Sequence, residues 1–294
     1  MKKIASSELV LNADGSVYHL HLQPEQIAPV IFTVGDPKRV GMISRHFDRI
    51  DHQVEKREFV THTGELAGQR LSVISTGIGT DNIDIVLNEL DALVNIDLQT
   101  REVKTEKTSL RLIRVGTSGS LHPDLEVGQL VVGRYGLGLD GLLAYYRRDR
   151  SEEERELEEE AGRFFAGLDL ELPFLYGAPA SGDLFDRLAD DLFGGITLTC
   201  PGFYGPQGRV LRADSLLRPD FFEKAHTFRF RDTPITNFEM ETSALYALGA
   251  LLGHQAIAFN VLLANRLTGD FSQNPTAEVE RLITAVLERI GKLP

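Results

Sequence analysis

Short apolar runs that end in glycine constrain the fold of this chain more than any other feature. Residues 30–34 stop at Gly35-Asp36-Pro37, 71–75 stop at Thr76-Gly77-Ile78-Gly79, and 110–115 stop at Gly116-Thr117-Ser118-Gly119. An apolar run bounded by turn signals reads as a buried strand, and glycine at its end lets backbone amides approach a ligand. Helical patterns alternate with these runs. Asp81 can cap a helix in which Ile83, Val86, Leu87, Leu90, Leu93 and Val94 follow the i, i+3, i+4, i+7 spacing. Near the end, Asn274-Pro275 supplies a cap and a first-turn proline, Val279, Leu282, Ile283, Val286, Leu287 and Ile290 form one stripe, and Gly291 can stop it. Strands alternating with helices predict an α/β sheet with ligands at strand ends. There is no linker or repeat: 101–109 reads as a charged surface connector, and 151–160, with seven glutamates, as a solvated helical face. A single domain over residues 1–294 is the expectation.

Charge narrows the partners. A net charge of -12 argues against nucleic acid, so any phosphate site must be a focal cluster of cations. The one cysteine, Cys200, excludes an intrachain disulfide and a multi-cysteine metal cage, and reads as a small buried residue in a reducing cytoplasm. Lys2 and Lys3 are followed by Ser6, Ser7, Asn12 and Asp14, which interrupt any signal-peptide core, and no apolar run approaches a membrane span. The expectation is a soluble cytoplasmic protein with no membrane partner.

Three segments carry the chemistry. In Asn237-Phe-Glu-Met-Glu-Thr-Ser243 a strand gives way to a helix, and Glu239 and Glu241 at i and i+2 can address one polar ligand with Met240 as apolar floor. Glutamates there equally suit the first turn of a helix, so both roles stay open on the segment alone. Arg39, Arg57 and Arg114 stand close in sequence to glycine motifs, and guanidinium matches phosphate oxygens bidentately while Thr117 adds an uncharged donor. Phe203-Tyr-Gly-Pro-Gln-Gly-Arg209 is a turn able to form a base pocket, with Phe203 as a flat face, Gln207 matching an imide edge and Arg209 donating to a carbonyl. Gly136-Leu-Gly-Leu-Asp-Gly141 matches the dinucleotide expression but opens no capped helix, so no nicotinamide cofactor is expected. His19 and His21 are spaced as strand neighbours without a third ligand, so no metal is expected.

Taken in order, these motifs resemble the nucleoside phosphorylase family, and its uridine-cleaving branch above all, from about His19 to Arg266. Gly-Asp-Pro-x-Arg at 35–39, Arg-Glu-Phe at 57–59, Ser-Thr-Gly-Ile-Gly at 75–79, Arg-x-Gly-Thr-x-Gly at 114–119, Phe-Tyr-x-x-Gln-x-Arg at 203–209, Glu-Met-Glu at 239–241 and Asn-Arg at 265–266 carry the resemblance. It implies an α/β sandwich around a mixed, partly barrel-like sheet, and a homo-oligomer, a hexamer built from dimers that share active sites. It implies a pentosyltransferase that cleaves a nucleoside with inorganic phosphate as co-substrate and no other cofactor. Phosphate would be held by Gly35, Arg39, Arg114 and Thr117, with Arg57 of the partner subunit. Ribose would be held by Glu239, Met240 and Glu241, with His19 of the partner subunit at the 5′ hydroxyl. The base would be held by Ser118, Gly119, Phe203, Gln207, Arg209 and Arg266, and Arg39, Arg114, Thr117 and Arg209 would carry the catalysis.

Base choice follows by the same resemblance. Purine-cleaving relatives place an aspartate where this chain has Asn265-Arg266, and the pyrimidine branch uses the Gln207 and Arg209 pair on uracil. Uridine is therefore the expected substrate, against a purine nucleoside phosphorylase, a hydrolytic nucleosidase or a non-catalytic nucleoside binder. There are departures. The 101–109 loop is longer than in compact members, Gly205-Pro206 inverts the usual Pro-Gly order, which bears on tolerance for thymidine or 2′-deoxyuridine, and Asn82 replaces a serine near Glu58, where some members bind a monovalent cation.

Overall fold

Two compact units make up the chain, one formed by the chain up to Ile113 with Leu252–Gln255, the other by Arg114–Leu251 with the chain from Ala256 onward. The computed structural model describes residues 3–170, 172, 174–217 and 219–293.

In the first unit the run at 30–34 is β1 (Val30–Val34), buried at every position. Asp36 accepts the amide of Lys38 at 2.9 Å and starts α1 (Pro37–Ser44) with proline at its first position. Next come β2 (Arg49–Lys56), β3 (Phe59–Leu66) and β4 (Gln69–Ser75), giving the order β1-β4-β3-β2, parallel between β1 and β4 and antiparallel elsewhere. The polar strand β2 takes the sheet's edge, where charge discourages pairing with other chains.

Helix α2 (Thr80–Asn95) buries Ile83, Val86, Leu87, Leu90 and Leu93 as its spacing requires, while Val94 stays half-buried. Its cap is not Asp81. Gly77 and Gly79, at φ 69° and 98°, close the turn early, so Gly79 is the cap residue and Asp81 falls in the first turn, where its charge suits the dipole. The stretch read as a connector begins with a small hairpin, β5 (Ile96–Asp97) against β6 (Glu102–Val103), closed by Arg101 at φ 60°, before an exposed loop over 104–109.

The second unit contains β7 (Arg111–Ser120) from Arg114 onward, β8 (Leu130–Gly138), α3 (Glu152–Ala166), β9 (Tyr176–Pro179), α4 (Gly182–Leu188), β10 (Phe193–Thr199), α5 (Pro219–Ala225), β11 (Arg229–Phe230), β12 (Thr233–Glu239), α6 (Thr242–Leu251), β13 (Gln255–Asn265) from Ala256 onward, and α7 (Pro275–Ile290). The strands β7, β12, β10, β8 and β13 neighbour one another in a ring that closes from β13 back to β7. Closure removes sheet edges and makes this a mixed, barrel-like sheet. Helix α6, buried over Thr242–Gly249, packs on β8, β9 and β10.

Two sequence expectations change here. Gly116 to Gly119 do not form a turn: β7 runs straight through them to Ser120. Their glycines serve close packing instead, since a Cβ at Gly116 would stand 2.7 Å from Asn260 Oδ1 and one at Gly119 would stand 3.3 Å from the Phe238 ring. Gly136 and Gly138 of the dinucleotide-like motif likewise sit inside β8, where a Cβ at Gly136 would lie 2.7 Å from Ser243 Cα, so this glycine admits the start of α6.

The glutamate run forms α3 with Ser151 and Glu154 in a reciprocal capping box. Leu157, Ala161 and Phe165 make its buried stripe, each of the two large side chains contributing about 2 kcal/mol. The polar face is less free than expected, because Arg148 bonds Glu154 and Glu158 at 2.8 and 2.6 Å, and Arg231 bonds Glu153 and Glu156. Cys200 is buried, and its thiol is pushed well up by desolvation and by Glu239. Helix α7 keeps its expected cap and Gly291 stop, and its stripe except for Leu287, which is half-buried. Among the described residues no helix is long and apolar enough to cross a membrane.

Candidate active site

The turn from β12 into α6 places three charges together. Arg114, on β7, donates through Nη2 to Glu241 Oε2, while its Nε lies 3.5 Å from Glu239 Oε2. All three side chains are at least 95% buried. Glu239 is fully engaged by protein: Oε1 accepts the Thr199 hydroxyl at 2.9 Å and the Thr242 amide at 3.0 Å, and Oε2 accepts the amides of Glu241 and Thr242 at 3.0 Å. It therefore caps α6, the role that its position before a helix allowed. Glu241 stands on the other side of the same turn, next to half-buried Met240. Arg114 Nη1 is buried with no protein acceptor among the described residues, so the guanidinium holds a donor in reserve beside the carboxylates.

Burial, and then the Glu241 carboxylate, raise Glu239 to about 7 against the pull of Arg114 and the two amides. The folded state thus holds a proton that the unfolded chain releases near the ordinary value of 4.5. The associated stability is fully present below 4.5 and is lost as pH rises to about 7. The uncharged variant Glu239→Gln should therefore gain on wild type between pH 5 and pH 8, by on the order of a few kcal/mol in urea unfolding. An unchanging difference between the two proteins across that range would show that Glu239 takes up no proton.

A second cluster lies on the 3-10 turn Gly205–Gln207 and its flanks. Gly208, in the left-handed region at φ 61°, leaves no room for a Cβ, which would stand 2.3 Å from Phe222. This pins the loop. Arg209 stacks on Phe203 at 3.8 Å, donates to the Phe203 carbonyl at 2.8 Å and bonds the Gln207 side-chain oxygen. Arg266, just beyond β13, donates to the Gln207 carbonyl at 3.0 Å. Both guanidiniums face the Phe238 ring, at 5.5 and 5.9 Å from its centroid. Neither has a carboxylate partner among the described residues, and burial lowers both pKa values, for Arg209 with a further push from Arg266.

Gly119 lies under the same ring, and Ser118 accepts from the Asn237 amide at 3.0 Å. Asn265 is used up structurally: its amide donates to the carbonyls of His122 and Leu125, and its oxygen accepts from Leu267 and Thr268. Thr117, half-buried on β7, lies three residues after Arg114.

The second unit therefore brings together Arg114, Glu239 and Glu241, and separately Gly119, Gln207, Arg209 and Arg266. Sequence reasoning missed Phe238 and Thr199. Phe238 stands inside the stretch that drew attention to the glutamates, and its aromatic neighbours could have marked it. Thr199 is paired with Glu239 only by the β10–β12 register, which no local pattern shows.

In the first unit Gly35 precedes the capped start of α1, and half-buried Arg39 is the third residue of that helix. Helix N-termini of this kind favour anions. Arg57 stands exposed at the tip of the β2–β3 hairpin with φ 57°, a conformation uncommon for any residue but glycine. His19 and His21 are not strand neighbours. They lie in a turn held by the His21 amide on the Val17 carbonyl and the Val17 amide on the Leu22 carbonyl, with His21 at φ 56°. Asn82 donates to Glu58 at 3.3 Å, so this carboxylate is already in use by an amide.

Comparison with known proteins places these features in a family. The phosphorylase superfamily model matches residues 29–293, through both units. The chain is 30% identical over 273 residues to the uridine phosphorylase of Thermococcus kodakarensis, covering 93% of this chain and 86% of the relative. It is 27% identical over 278 residues to a DeoD-type purine nucleoside phosphorylase of Lactococcus lactis, covering 93% and 95%. Among solved structures, a Trypanosoma brucei nucleoside phosphorylase that shows uridine phosphorylase activity aligns with a TM-score of 0.85 at 29% identity, over 96% of this chain and 99% of that one. With the family model spanning nearly the whole chain and the α/β architecture matching, the chain belongs to the phosphorylase superfamily, as a nucleoside phosphorylase of the pentosyltransferase class.

Proposed function

We propose that the protein cleaves uridine with inorganic phosphate to uracil and ribose 1-phosphate. The observation that carries the choice of base is the pair of guanidiniums, Arg209 and Arg266, around Phe238, neither with a carboxylate partner among the described residues. Breaking the glycosidic bond leaves negative charge on the uracil carbonyls, and fixed donors aimed there in a dry site stabilise it without an acid on the ring nitrogen. Asn265, with both ends of its amide bonded to backbone, has no carboxyl proton to give a purine ring.

The other half of the reaction is an oxocarbenium-like sugar. Phosphate beside Arg114 supplies the nucleophile and the countercharge, with Thr117 as a further donor. Gly35, Arg39 and Arg57 of the partner subunit share in phosphate binding by their match to the family's motifs. Glu241 and the backbone at Met240 take the ribose hydroxyls, and Glu239 supports them by holding the turn. His19 of the partner subunit takes the 5′ hydroxyl, in a cytoplasmic hexamer of dimers that needs no cofactor beyond phosphate.

Uracil release from uridine, measured with and without phosphate and beside inosine, tests this. Release should require phosphate, yield ribose 1-phosphate and exceed release from inosine. Equal rates without phosphate would make the protein a hydrolase, faster release from inosine would make it a purine enzyme, and binding without turnover would leave a nucleoside-binding protein.

A further inference from the structure

The turn that carries His19 is built around one carboxylate. Val17, Leu20 and Leu22 are fully buried and fix the turn from below, so His19 stands at its outer side with 30% of its side chain exposed. Glu89, from the half-buried face of α2, reaches this turn with 14% of its side chain exposed. Its Oε2 accepts the Leu20 amide at 2.8 Å and the His19 amide at 3.0 Å, and its Oε1 accepts the His19 amide at 2.9 Å and meets His19 Nδ1 at 2.7 Å. Two successive amides and a ring nitrogen thus converge on one side chain seventy residues away in sequence. On the other flank Tyr18 meets the His19 ring edge-on at 4.9 Å, and Lys56 holds the Tyr18 carbonyl at 2.6 Å and Asn12 Oδ1 at 3.1 Å.

We propose that Glu89 is a positioning residue that sets the tautomer and direction of His19, and through it the recognition of the nucleoside 5′ hydroxyl. An ionised carboxylate only accepts, so the proton between Glu89 and Nδ1 belongs to the ring. A neutral imidazole with its proton on Nδ1 presents a lone pair at Nε2. Among the described residues Nε2 has no hydrogen-bond partner, so it is left to accept from a hydroxyl. The amides of His19 and Leu20 hold the backbone to the same carboxylate, so the ring swings from a fixed point and turning it away breaks its own bond to Glu89. Glutamine at 89 has a single acceptor oxygen and cannot serve both the ring and the Leu20 amide. This rests on the assignment of His19 to the 5′ hydroxyl, and the test separates the two.

The experiment compares kcat/KM for uridine and 5′-deoxyuridine in the full-length protein, wild type, His19→Ala, Glu89→Gln and Glu89→Ala. The Glu89 variants should lose about ten-fold on uridine, mostly in KM, the scale of one hydrogen bond lost from binding, and less than two-fold on 5′-deoxyuridine, which lacks the hydroxyl. Equal losses on both substrates would reduce Glu89 to a scaffold residue and overturn the proposal. If His19→Ala itself fails to discriminate the substrates, the assignment of His19 is wrong and the proposal falls with it. Absence of phosphate-dependent uridine cleavage in wild type would reject the functional assignment itself. Nitrogen-15 spectra of the wild-type histidine rings give a readout that needs no variant to fold: the His19 proton should sit on Nδ1, and a proton on Nε2 in the neutral ring would overturn the proposal.

Discussion

Replacing Arg114 by alanine should lower kcat/KM for uridine phosphorolysis roughly 10³-fold, the scale of removing a preorganised charged donor from a dry site. The expectation rests on its place rather than its charge alone. Arg114 is 3% exposed, is tied to Glu241, and keeps Nη1 without a protein acceptor among the described residues. The same substitution leaves two buried carboxylates facing each other, so unfolding should also become easier by about 3–5 kcal/mol. Arg114→Lys separates the two effects. A lysine restores charge balance and much of the stability, but it lacks the planar fork that can hold a carboxylate and an anion at once, so activity should stay far below wild type. Steady-state kinetics in phosphate and uridine, with urea unfolding of the same samples, check both. Near-native uridine turnover in Arg114→Ala would remove the residue from the reaction.

Arg209→Ala should reduce turnover of uridine about 10²-fold while the KM for phosphate stays within about two-fold. The loss concerns charge on the departing base, so it should depend on how well the base leaves. A fluorine at C5 makes uracil more acidic, and 5-fluorouridine should accordingly lose less from the substitution than uridine does. A uniform loss on both nucleosides would mean that Arg209 only orders the loop through its stack on Phe203 and its bond to Gln207. Unchanged uridine kinetics would remove it from the proposed base site altogether.

What the sequence made legible follows from the range of the forces involved. Helices α2 and α7 could be read because burial imposes a 3.6-residue period on neighbours in sequence, and the capping signal at Asn274 acts within a few residues, whereas the cap expected at Asp81 fell to Gly79. The Glu239 to Glu241 pair could be noticed for a similar reason. Its division of labour could not, because it depends on Thr199 and Arg114, forty and more residues away, arriving by strand register. Gly116 and Gly119 mislead for a related cause. Glycine marks both a turn and a tight crossing, and only Asn260 and Phe238 on other strands show that crossing is meant here. His19 was singled out by the family resemblance, while Glu89 had no local signature beyond an ordinary helical acid. The turn at 17–22 is defined by its bonds to α2, which no local pattern shows.

The ring of strands also says where such an enzyme can change. Strands β7 and β12 meet through Ser120 opposite Asn237 and Gly119 opposite Phe238. A slip of one residue would exchange the faces of both and turn Phe238 away from Arg209 and Arg266. The two strands therefore form a chassis that must be inherited whole. The loop from Phe203 to Arg209 is a replaceable fitting, bounded by the tight seat of Gly208 on Phe222 at one end and Gly202 at the other. Descendants with a new base preference would be expected to differ in that fitting and in the residue at 265, and to share the chassis almost unaltered.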